Sequence, residues 1–300
     1  MQKKKLEIPK FSKSKLNAIF KTRKLEDLDG LKFVDDHLRK KRGYVFKLPK
    51  KNEPVILLFS GGLDSTTTCA LLMDKFKLNV YPVFFKTDFP RNKYEFDAAT
   101  KFAKIFTKKY GNLFHPIKVI NYAPLYPPIK PTEPVWNLKY DQLSNGIRCI
   151  YAMKYAYQLE QFDNVKIRTI FTSHISTDGT AITDQTLAAL RKIMFYICLG
   201  TNDYSWQVSA LGLEKELGYY YGKDFQIAWA EQHNIPLELT RTSCYRNGKY
   251  HCGECAYCQT RKEAFKQAGV IDRTIYTNKS SVINDLIIRI KQRVEYHLHH

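Results

Sequence analysis

The residues best suited to chemistry in this chain form a glycine-containing turn near residue 60. An apolar run, Val-Ile-Leu-Leu-Phe at 55–59, is followed directly by Ser60-Gly61-Gly62-Leu63-Asp64-Ser65-Thr66. A helical pattern begins at once, so the order is strand, tight turn and helix. Such a turn directs backbone N–H groups and the positive end of a helix dipole at one point, which suits an anion. The turn is therefore predicted to bind phosphates.

Individual residues of the turn have separate uses. Gly61 and Gly62 let the backbone approach phosphate oxygens, and Ser60 and Ser65 add hydroxyl donors. Asp64 is unexpected in a phosphate cradle unless it binds Mg²⁺ or orients a group that does. The Gly-Lys-Ser/Thr of a Walker A loop does not occur in this turn. An ordinary β–α turn with a Ser/Asp cap is the structural alternative.

Four cysteines downstream have the spacing of a metal site: Cys244, Cys252, Cys255 and Cys258. Four thiolates close a tetrahedral Zn²⁺ shell, which is the structural type of zinc site. An iron–sulfur cluster uses similar spacing and remains an alternative. Disulfides are a further alternative, although the basic N-terminus lacks the apolar segment of a secretory signal.

Together, the two segments resemble one family. Ser-Gly-Gly-x-Asp-Ser after a strand resembles the PP-loop of ATP pyrophosphatases, which cleave ATP to AMP and pyrophosphate. Residues 236–274 contain Thr-Ser-Cys-Tyr and then Cys-Gly-Glu-Cys-Ala-Tyr-Cys, and they are similar to the C-terminal zinc segment of the 7-cyano-7-deazaguanine synthases, the QueC family. The resemblance covers about residues 55–276. The matching motifs are specific at the two ends of this range, and few residues match between them.

The resemblance implies an ATP-dependent carbon–nitrogen ligase of queuosine biosynthesis, with ATP, Mg²⁺ and Zn²⁺ as cofactors. The carboxylate of 7-carboxy-7-deazaguanine or a related acid would attack the α-phosphorus of ATP, and pyrophosphate would leave into the turn at 60–65. Ammonia or an amine would then take the acyl group and give an amide. In the nitrile-forming enzymes a second ATP activates that amide for dehydration.

The resemblance also suggests catalytic residues. Asp64 would bind or orient Mg²⁺, and Lys223, in Gly-Lys-Asp before a helix, would neutralise charge at the α-phosphate. Arg148, at the start of a predicted helix, would hold triphosphate oxygens with its guanidinium fork. A solvated helix start for Lys223 and a surface position for Arg148 are the structural alternatives.

Candidates for substrate binding are weaker. Arg91 follows the second predicted strand, and His174 follows the fourth. The family recognises its deazapurine acid with Asp-Cys-Arg-Pro-Glu, whereas this chain has Thr183-Asp184-Gln185-Thr186 at that place. Asp184 keeps one hydrogen-bonding role, but the arginine is gone. The resemblance therefore supports the family's ATP chemistry in this chain more strongly than it supports the family's acid substrate.

The elements around these residues predict an α/β fold, a parallel twisted sheet with helices on both faces, followed by the zinc segment. The PP-loop resemblance implies that this sheet is like that of adenine nucleotide alpha hydrolase proteins. Strands that are apolar throughout alternate with helices. The strands are predicted at 55–59, 79–85, 115–120 and 166–171, and the helices at 63–76, 93–110, 148–160 and 183–199. Ligands bind at the carboxyl ends of such strands, so Ser60, 86–88 and 172–174 are predicted to share the active-site edge.

Four segments are predicted: a basic N-terminal extension at 1–52, an ATP-binding domain at 53–243, a four-cysteine zinc segment at 244–276 and a C-terminal helix and tail at 277–300. Through Lys51 the extension carries 17 Lys/Arg against 6 Asp/Glu, more than half of the net charge of +19. Its apolar residues between 25 and 38 are expected to pack against the core or a second subunit. Its earlier lysines are expected to stay solvated and to attract a polyanion.

Between 121 and 146, prolines alternate with tyrosines and Trp136. This pattern is typical of a loop that lies over a substrate site or packs on the surface. No apolar run approaches 18 residues, so no transmembrane helix is expected, and a cytoplasmic location is predicted.

Three other functions fit the charge and the motifs. The first is a PP-loop enzyme that adenylates or thiolates tRNA, and the second is a QueC-like protein of an antiphage or nucleic-acid modification system. The third is a non-catalytic nucleotide-binding adaptor. The expected partners are a small deazapurine-like acid, nucleic acid at the basic extension and a second copy of the chain.

Overall fold

The computed structural model describes residues 6–89, 91–122, 143–180, 182–241, 244 and 248–277. Residues 123–142, which make up most of the predicted proline- and tyrosine-rich loop at 121–146, and the predicted C-terminal helix after residue 277 lie outside these residues.

A parallel sheet of five strands forms the centre of the described chain, in the order β3-β2-β1-β4-β5. The strands are β1 (Pro54–Leu58), β2 (Asn79–Lys86), β3 (Lys118–Asn121), β4 (Thr169–Thr172) and β5 (Gln207–Ala210). In the middle, β1 pairs with both β2 and β4, so that Ile56 lies opposite Tyr81 and Ile170. The strand order reverses at β1, which opens a crevice at the carboxyl ends of the strands.

Helices cover both faces of the sheet, as predicted. They are α1 (Lys13–Lys21), α2 (Leu28–Arg42), α3 (Leu63–Asp74), α4 (Asn92–Tyr110), α5 (Ser144–Asp163), α6 (Leu187–Thr201), α7 (Lys223–Gln232) and α8 (Ala256–Gln267). Val55 and Leu57 join the apolar cluster that contains α3, α4 and α7. Ile56 points the other way and joins the cluster of α5 and α6. This alternation along a fully buried strand confirms the predicted α/β class.

The structure corrects two predicted helices and adds one strand. α5 begins at Ser144, so Arg148 lies in its second turn and does not open the helix. The helix predicted at 183–199 divides into a 3₁₀ turn, Thr183–Gln185, and α6. The break falls at Thr186, whose Oγ1 accepts a hydrogen bond from the backbone N–H of Ala189 at 3.1 Å and caps α6. Strand β5 was not predicted, because four residues with two polar side chains give no strand signal.

The N-terminal extension packs on the core through α1 and α2. Leu16 and Phe20 of α1 contact Leu187 in one buried cluster. Val34 and Leu38 of α2 join the cluster formed by α5 and α6. The predicted packing of the apolar side chains is thus confirmed at these α2 positions, whereas Phe33 is 64% exposed.

A buried ion cluster joins α2 to the core. The guanidinium of Arg191 on α6 is fully buried and contacts Asp35 of α2 at 3.3 Å and Glu214 at 2.6 Å. Ser209 of β5 donates a further hydrogen bond to Glu214. Burial raises the pKa of Asp35, although Arg191 opposes this shift. Removal of one partner would leave an uncompensated charge in the core.

Candidate active site

The turn after β1 has a backbone shape that requires glycine at one position. Gly61 has φ = +72°, and a Cβ there would lie 2.5 Å from the backbone N of Ala99 and 2.7 Å from the carbonyl oxygen of Glu95 on α4. Gly62 is extended at φ = −76°. Its Cβ would meet the Ser60 hydroxyl at 3.2 Å and a carbonyl at 3.4 Å. The tight approach of the turn to α4 therefore depends mainly on Gly61.

The two serine hydroxyls hold this turn closed. The backbone N–H of Ser60 donates to Ser65 Oγ at 3.2 Å, the two hydroxyl oxygens lie 3.0 Å apart, and the N–H of Gly62 donates to Ser60 Oγ at 3.3 Å. α3 begins at Leu63 with Gly62 as its N-cap, and no side chain caps it. The first N–H groups of α3 are therefore directed at the cleft without a side-chain partner at the cap, as an anion site needs.

Asp64, in the first turn of α3, forms an ion pair across the fold. The ammonium of Lys223, the first residue of α7, donates to Asp64 Oδ2 at 2.8 Å. Burial lowers the pKa of Lys223, but the nearby carboxylates of Asp64 and Asp178 outweigh it and raise that pKa. The other oxygen, Asp64 Oδ1, is buried and has no hydrogen-bond partner in the described part of the chain. A carboxylate oxygen left open in this way fits a hard cation such as Mg²⁺.

Asp178, in the segment between β4 and α6, completes this charged group. Its Oδ2 accepts a hydrogen bond from the backbone N–H of Ile175 at 3.0 Å. Burial and the charge of Asp64 raise the pKa of Asp178 to about 6, against the opposing effect of Lys223. The sequence placed Asp178 after the fourth strand with His174, as a substrate contact or a cap, and its bond to the backbone N–H of Ile175 fits a capping role.

His174 and Asp184 lie in the same segment between β4 and α6. His174 Nδ1 lies 3.1 Å from Thr172 Oγ1, and burial lowers the pKa of His174 to about 4, so its ring is neutral near pH 7. Asp184 accepts hydrogen bonds from the backbone N–H and the side-chain amide of Asn145, both at 3.1 Å. Asp184 therefore fixes the first turn of α5 in addition to any contact with a ligand.

Arg148 and Arg91 approach the cleft from other sides. The guanidinium of Arg148 lies 5.6 Å from the centre of the Tyr122 ring, and its Nε is buried without a hydrogen-bond partner in the described chain. Arg91 precedes α4 and lies 3.6 Å from Glu95. Asn92 donates to the same carboxylate at 3.2 Å. Two cations thus line the cleft, one from the start of α4 and one from α5.

These residues surround one cleft of about 890 Å³, large enough for a nucleotide and a second small molecule. Its lining includes Ser60, Gly62, Leu63, Asp64, Ser65, Arg91, Arg148, His174 and Asp184. Three predicted ligands are not part of this lining. Gly61 lies against the backbone of α4. Thr66 is fully buried, and its N–H donates to Gly62 O within the helix. Lys223 is not part of the lining and reaches the cleft through its bond to Asp64.

Two lining residues that the sequence did not single out come from the C-terminal part of the chain. Arg241 lines the cleft, and its backbone N–H donates to the carbonyl oxygen of Gly61 at 3.0 Å. Tyr257, in the first turn of α8, lines the cleft as well. Both lie in the stretch that carries the cysteines, but nothing in their spacing distinguishes them from their neighbours.

The four cysteines form one compact group, with all sulfur atoms within 4.8 Å of one another. Cys252 and Cys258 lie 3.9 Å apart, as do Cys244 and Cys255. A tetrahedral zinc with bonds of about 2.3 Å places its sulfur ligands about 3.8 Å apart. A disulfide needs about 2.05 Å, so disulfides are ruled out in this arrangement. The donor set therefore fits a four-thiolate metal centre.

Arg261 of α8 connects this centre to the cleft. Its guanidinium donates to the carbonyl oxygen of Leu237 at 2.7 Å and to the hydroxyls of Thr240 and Thr274, both at 2.9 Å. Thr240 immediately precedes Arg241, which is bonded to Gly61. The metal segment and the phosphate turn are thus joined by a short chain of hydrogen bonds.

A glycine turn at the centre of a parallel sheet, followed by a four-cysteine segment, defines a PP-loop type of nucleotide-binding α/β protein. Residues 143–269 match the family model "QueC: Queuosine biosynthesis protein QueC". The 7-cyano-7-deazaguanine synthase of Acetivibrio thermocellus is 28% identical over 236 residues, which cover 75% of this chain and 98% of that protein. The synthase of Desulfitobacterium hafniense is 28% identical over 229 residues, which cover 75% and 93%. The chain is thus similar to these synthases over three quarters of its length, and to the QueC family model in its C-terminal half.

Solved structures give a more distant likeness. The U34-tRNA thiolase NcsA from Methanococcus maripaludis, with its [4Fe-4S] cluster, is 14% identical at a TM-score of 0.38, over 81% of this chain and 75% of that one. A 4-thiouridine synthetase–RNA complex with bound ATP is 12% identical at a TM-score of 0.40, over 72% of this chain and 50% of that one.

Proposed function

We propose that this protein is an ATP-dependent ligase that adenylates a carboxylic acid, 7-carboxy-7-deazaguanine or a close relative, and transfers the acyl group to ammonia or an amine. The observation that carries this proposal is the Lys223–Asp64 ion pair of 2.8 Å at the N-terminus of α3, beside a turn that only glycine can form. A lysine, a carboxylate with one open oxygen and a helix N-terminus without a side-chain cap suit a magnesium-bound polyphosphate.

Pyrophosphate would leave into the turn at 60–65, where the N–H groups of α3 stabilise the departing charge. Asp64 Oδ1 is the group that would hold Mg²⁺, which offsets the charge of the phosphates when bound. Lys223 would orient the Asp64 carboxylate through its hydrogen bond to Oδ2. Arg148, whose Nε has no partner in the described chain, is placed to pair with an α-phosphate or carboxylate oxygen.

The acid would lie on the side of the cleft formed by the segment between β4 and α6. A neutral His174 can donate or accept one hydrogen bond there without attracting a second phosphate. Asp184, held by Asn145, offers its remaining lone pairs to an amine or ring N–H. Both faces of such a ring need apolar contact, and Phe85, Ile182 and Ile193 line the cleft.

The cysteines Cys244, Cys252, Cys255 and Cys258 would hold a structural Zn²⁺, which supplies folding free energy to the segment that supports Gly61. Four cysteine thiolates would occupy all four coordination positions of a tetrahedral zinc ion, so no position would be left for substrate.

The test is ATP–pyrophosphate exchange with a panel of acids, followed by mass spectrometry of the product from 7-carboxy-7-deazaguanine, ATP and ammonia. We expect exchange that depends on the acid, and an amide or nitrile as product. Exchange that appears with tRNA and with none of the acids would instead identify an RNA-modifying enzyme. Exchange with neither would contradict catalysis and favour an adaptor.

A further inference from the structure

The short connection between α1 and α2, residues 22–27, reaches the cleft from the N-terminal extension. Leu25 and Asp27 both line the cleft. They lie outside residues 143–269, to which the QueC family model extends. Asp27 caps α2 by accepting from the N–H of Gly30 at 2.9 Å, and it pairs with Lys192 of α6, another lining residue. We call residues 22–27 the α1–α2 turn.

Two buried side chains fix the α1–α2 turn to the segment between β4 and α6. The guanidinium of Arg23 donates to the carbonyl oxygens of Ser176 and Asp178. Glu26 accepts hydrogen bonds from the backbone N–H groups of Leu187 and Ala188, the first two residues of α6. A carboxylate at this end of a helix is also favoured by the helix dipole. Arg23 and Glu26 contact each other at 3.3 Å, so the two anchors form one unit.

The segment between β4 and α6 is shaped to receive Arg23. Gly179 has φ = +71°, and a Cβ there would lie 2.8 Å from Arg23 Nη2. The hydroxyl of Tyr220 accepts a further hydrogen bond from Arg23 at 3.1 Å. Because Arg23 and Glu26 are anchored on either side of it, Leu25 is held at the cleft wall with its side chain only half-buried.

This wall belongs to the part of the cleft proposed for the acid. β4 pairs with β1 on the side opposite β2, and the segment that follows β4 carries His174 and Asp184. Ala188, Ala189 and Ile193 of α6 line the cleft beside the α1–α2 turn. An apolar side chain there can pack on a flat ring and exclude water from it, as binding pockets for small heterocycles require.

We propose that the α1–α2 turn is a specificity-determining wall of the acid site, in which Leu25 packs against the ring system of the acid. The inference rests on the proposed function and adds the element that selects the substrate. The N-terminal extension then has a role in recognition through its apolar and buried residues, independent of its positive charge.

The test compares Leu25→Ala and Leu25→Trp with Leu28→Ala and Leu28→Trp, the same substitutions three residues later at a leucine outside the cleft lining. Acid-dependent ATP–pyrophosphate exchange with 7-carboxy-7-deazaguanine gives kcat and the KM values for acid and ATP. We expect Leu25→Ala to raise the KM for the acid about tenfold, because a pocket contact of this size changes discrimination by roughly 10–200-fold. Leu25→Trp should raise it further, and the KM for ATP should stay within about twofold in both.

Arg23→Lys tests the anchoring separately. A lysine keeps the charge but cannot reach both carbonyl oxygens with one rigid fork. We expect a raised KM for the acid with the KM for ATP unchanged, a split that general destabilisation would not produce. Melting curves identify any variant that fails to fold, and Leu25→Met then replaces Leu25→Trp.

Three results would overturn the inference. The first is that the wild-type protein catalyses acid-dependent exchange, but the Leu25 and Leu28 variants have identical KM values for the acid. This result would refute the role of the α1–α2 turn and leave the proposed function intact. An equal rise in the KM for ATP and for the acid would indicate general disturbance of the cleft. Wild-type protein without acid-dependent exchange would overturn the proposed function and this inference together.

Discussion

The two halves of the cleft differ in how they are built. The half proposed for the phosphates centres on one short stretch, 60–65, whose hydroxyls and backbone N–H groups bond to one another. Lys223 joins it through Asp64. The acid half is assembled from the segment between β4 and α6, the start of α5 and the α1–α2 turn, which are far apart in the chain. A backbone site leaves a compact sequence signature, whereas a wall of side chains from three segments leaves none. The chemistry can therefore be inferred from the sequence more readily than the substrate.

The largest effect is expected from Asp64→Asn, which acts on the phosphate half alone. It removes the negative charge that pairs with Lys223 and that would hold Mg²⁺, at a side chain only 29% exposed. Exchange should fall by about 10³-fold, as when a key electrostatic contact is lost from a preorganised site. Asp36→Asn is the matched control, because that carboxylate lies on the surface and pairs with Lys32 of the same helix. Equal activity in both variants would show that the nucleotide site lies elsewhere.

Loss of the metal centre should have the next largest effect and should reach the phosphate half through Arg241. Wild-type protein is expected to contain one zinc per chain by elemental analysis, whereas iron and labile sulfide would indicate a cluster. Cys255→Ser should lower the free energy of unfolding by about 4 kcal/mol, because a closed thiolate site contributes to folding directly. Cys69→Ser is the control for a buried thiol outside the group. A metal-free wild type of equal stability would contradict the assignment.

Substitution of the paired glycines separates backbone shape from side-chain chemistry. Gly61→Ala should destabilise the fold by about 3 kcal/mol and abolish ATP binding, because its Cβ would collide with the backbone of α4. Gly62→Ala should cost less than about 1 kcal/mol, since its φ is already negative and its nearest neighbour is a movable hydroxyl. Chemical denaturation and ATP titration measure both. Similar losses of stability and ATP binding in the two variants would contradict a specific requirement for glycine at Gly61.

The smallest effect concerns the acid half and its pH dependence. The folded-state pKa of His174, about 4, lies below the usual 6.5, so the unfolded chain takes up this proton first as the pH falls. The contribution of His174 to the free energy of unfolding is full above pH 6.5 and is lost as the pH falls from 6.5 to 4. Between pH 7 and pH 5 the loss is roughly 2 kcal/mol. In His174→Asn this part of the pH dependence should vanish, as seen by thermal unfolding at each pH. Parallel stability curves for the two proteins would refute a buried neutral ring.

Much of the fold followed from the sequence because buried parallel strands and a glycine turn have strong local patterns. β1 and β2 were placed to within a residue, and the four cysteines converge as their spacing indicated. The 3₁₀ turn at 183–185 and strand β5 were missed because capping and pairing at these places depend on tertiary contacts. The sequence named Asp178 as a contact or a cap but could not place it near Asp64. The positions of Arg241 and Leu25 at the cleft could not be predicted, since the groups they meet there come from distant segments of the chain.

The buried Arg191 also has a consequence for the role of the N-terminal extension. Asp35 on α2 supplies one of its two carboxylate partners, and α2 covers the surface of α6. Truncation before β1 would remove this carboxylate and uncover the apolar side chains of α5 and α6 that Val34 and Leu38 contact. The free energy of folding therefore depends on the extension, and a chain shortened to β1 is expected to melt at a lower temperature than the full one.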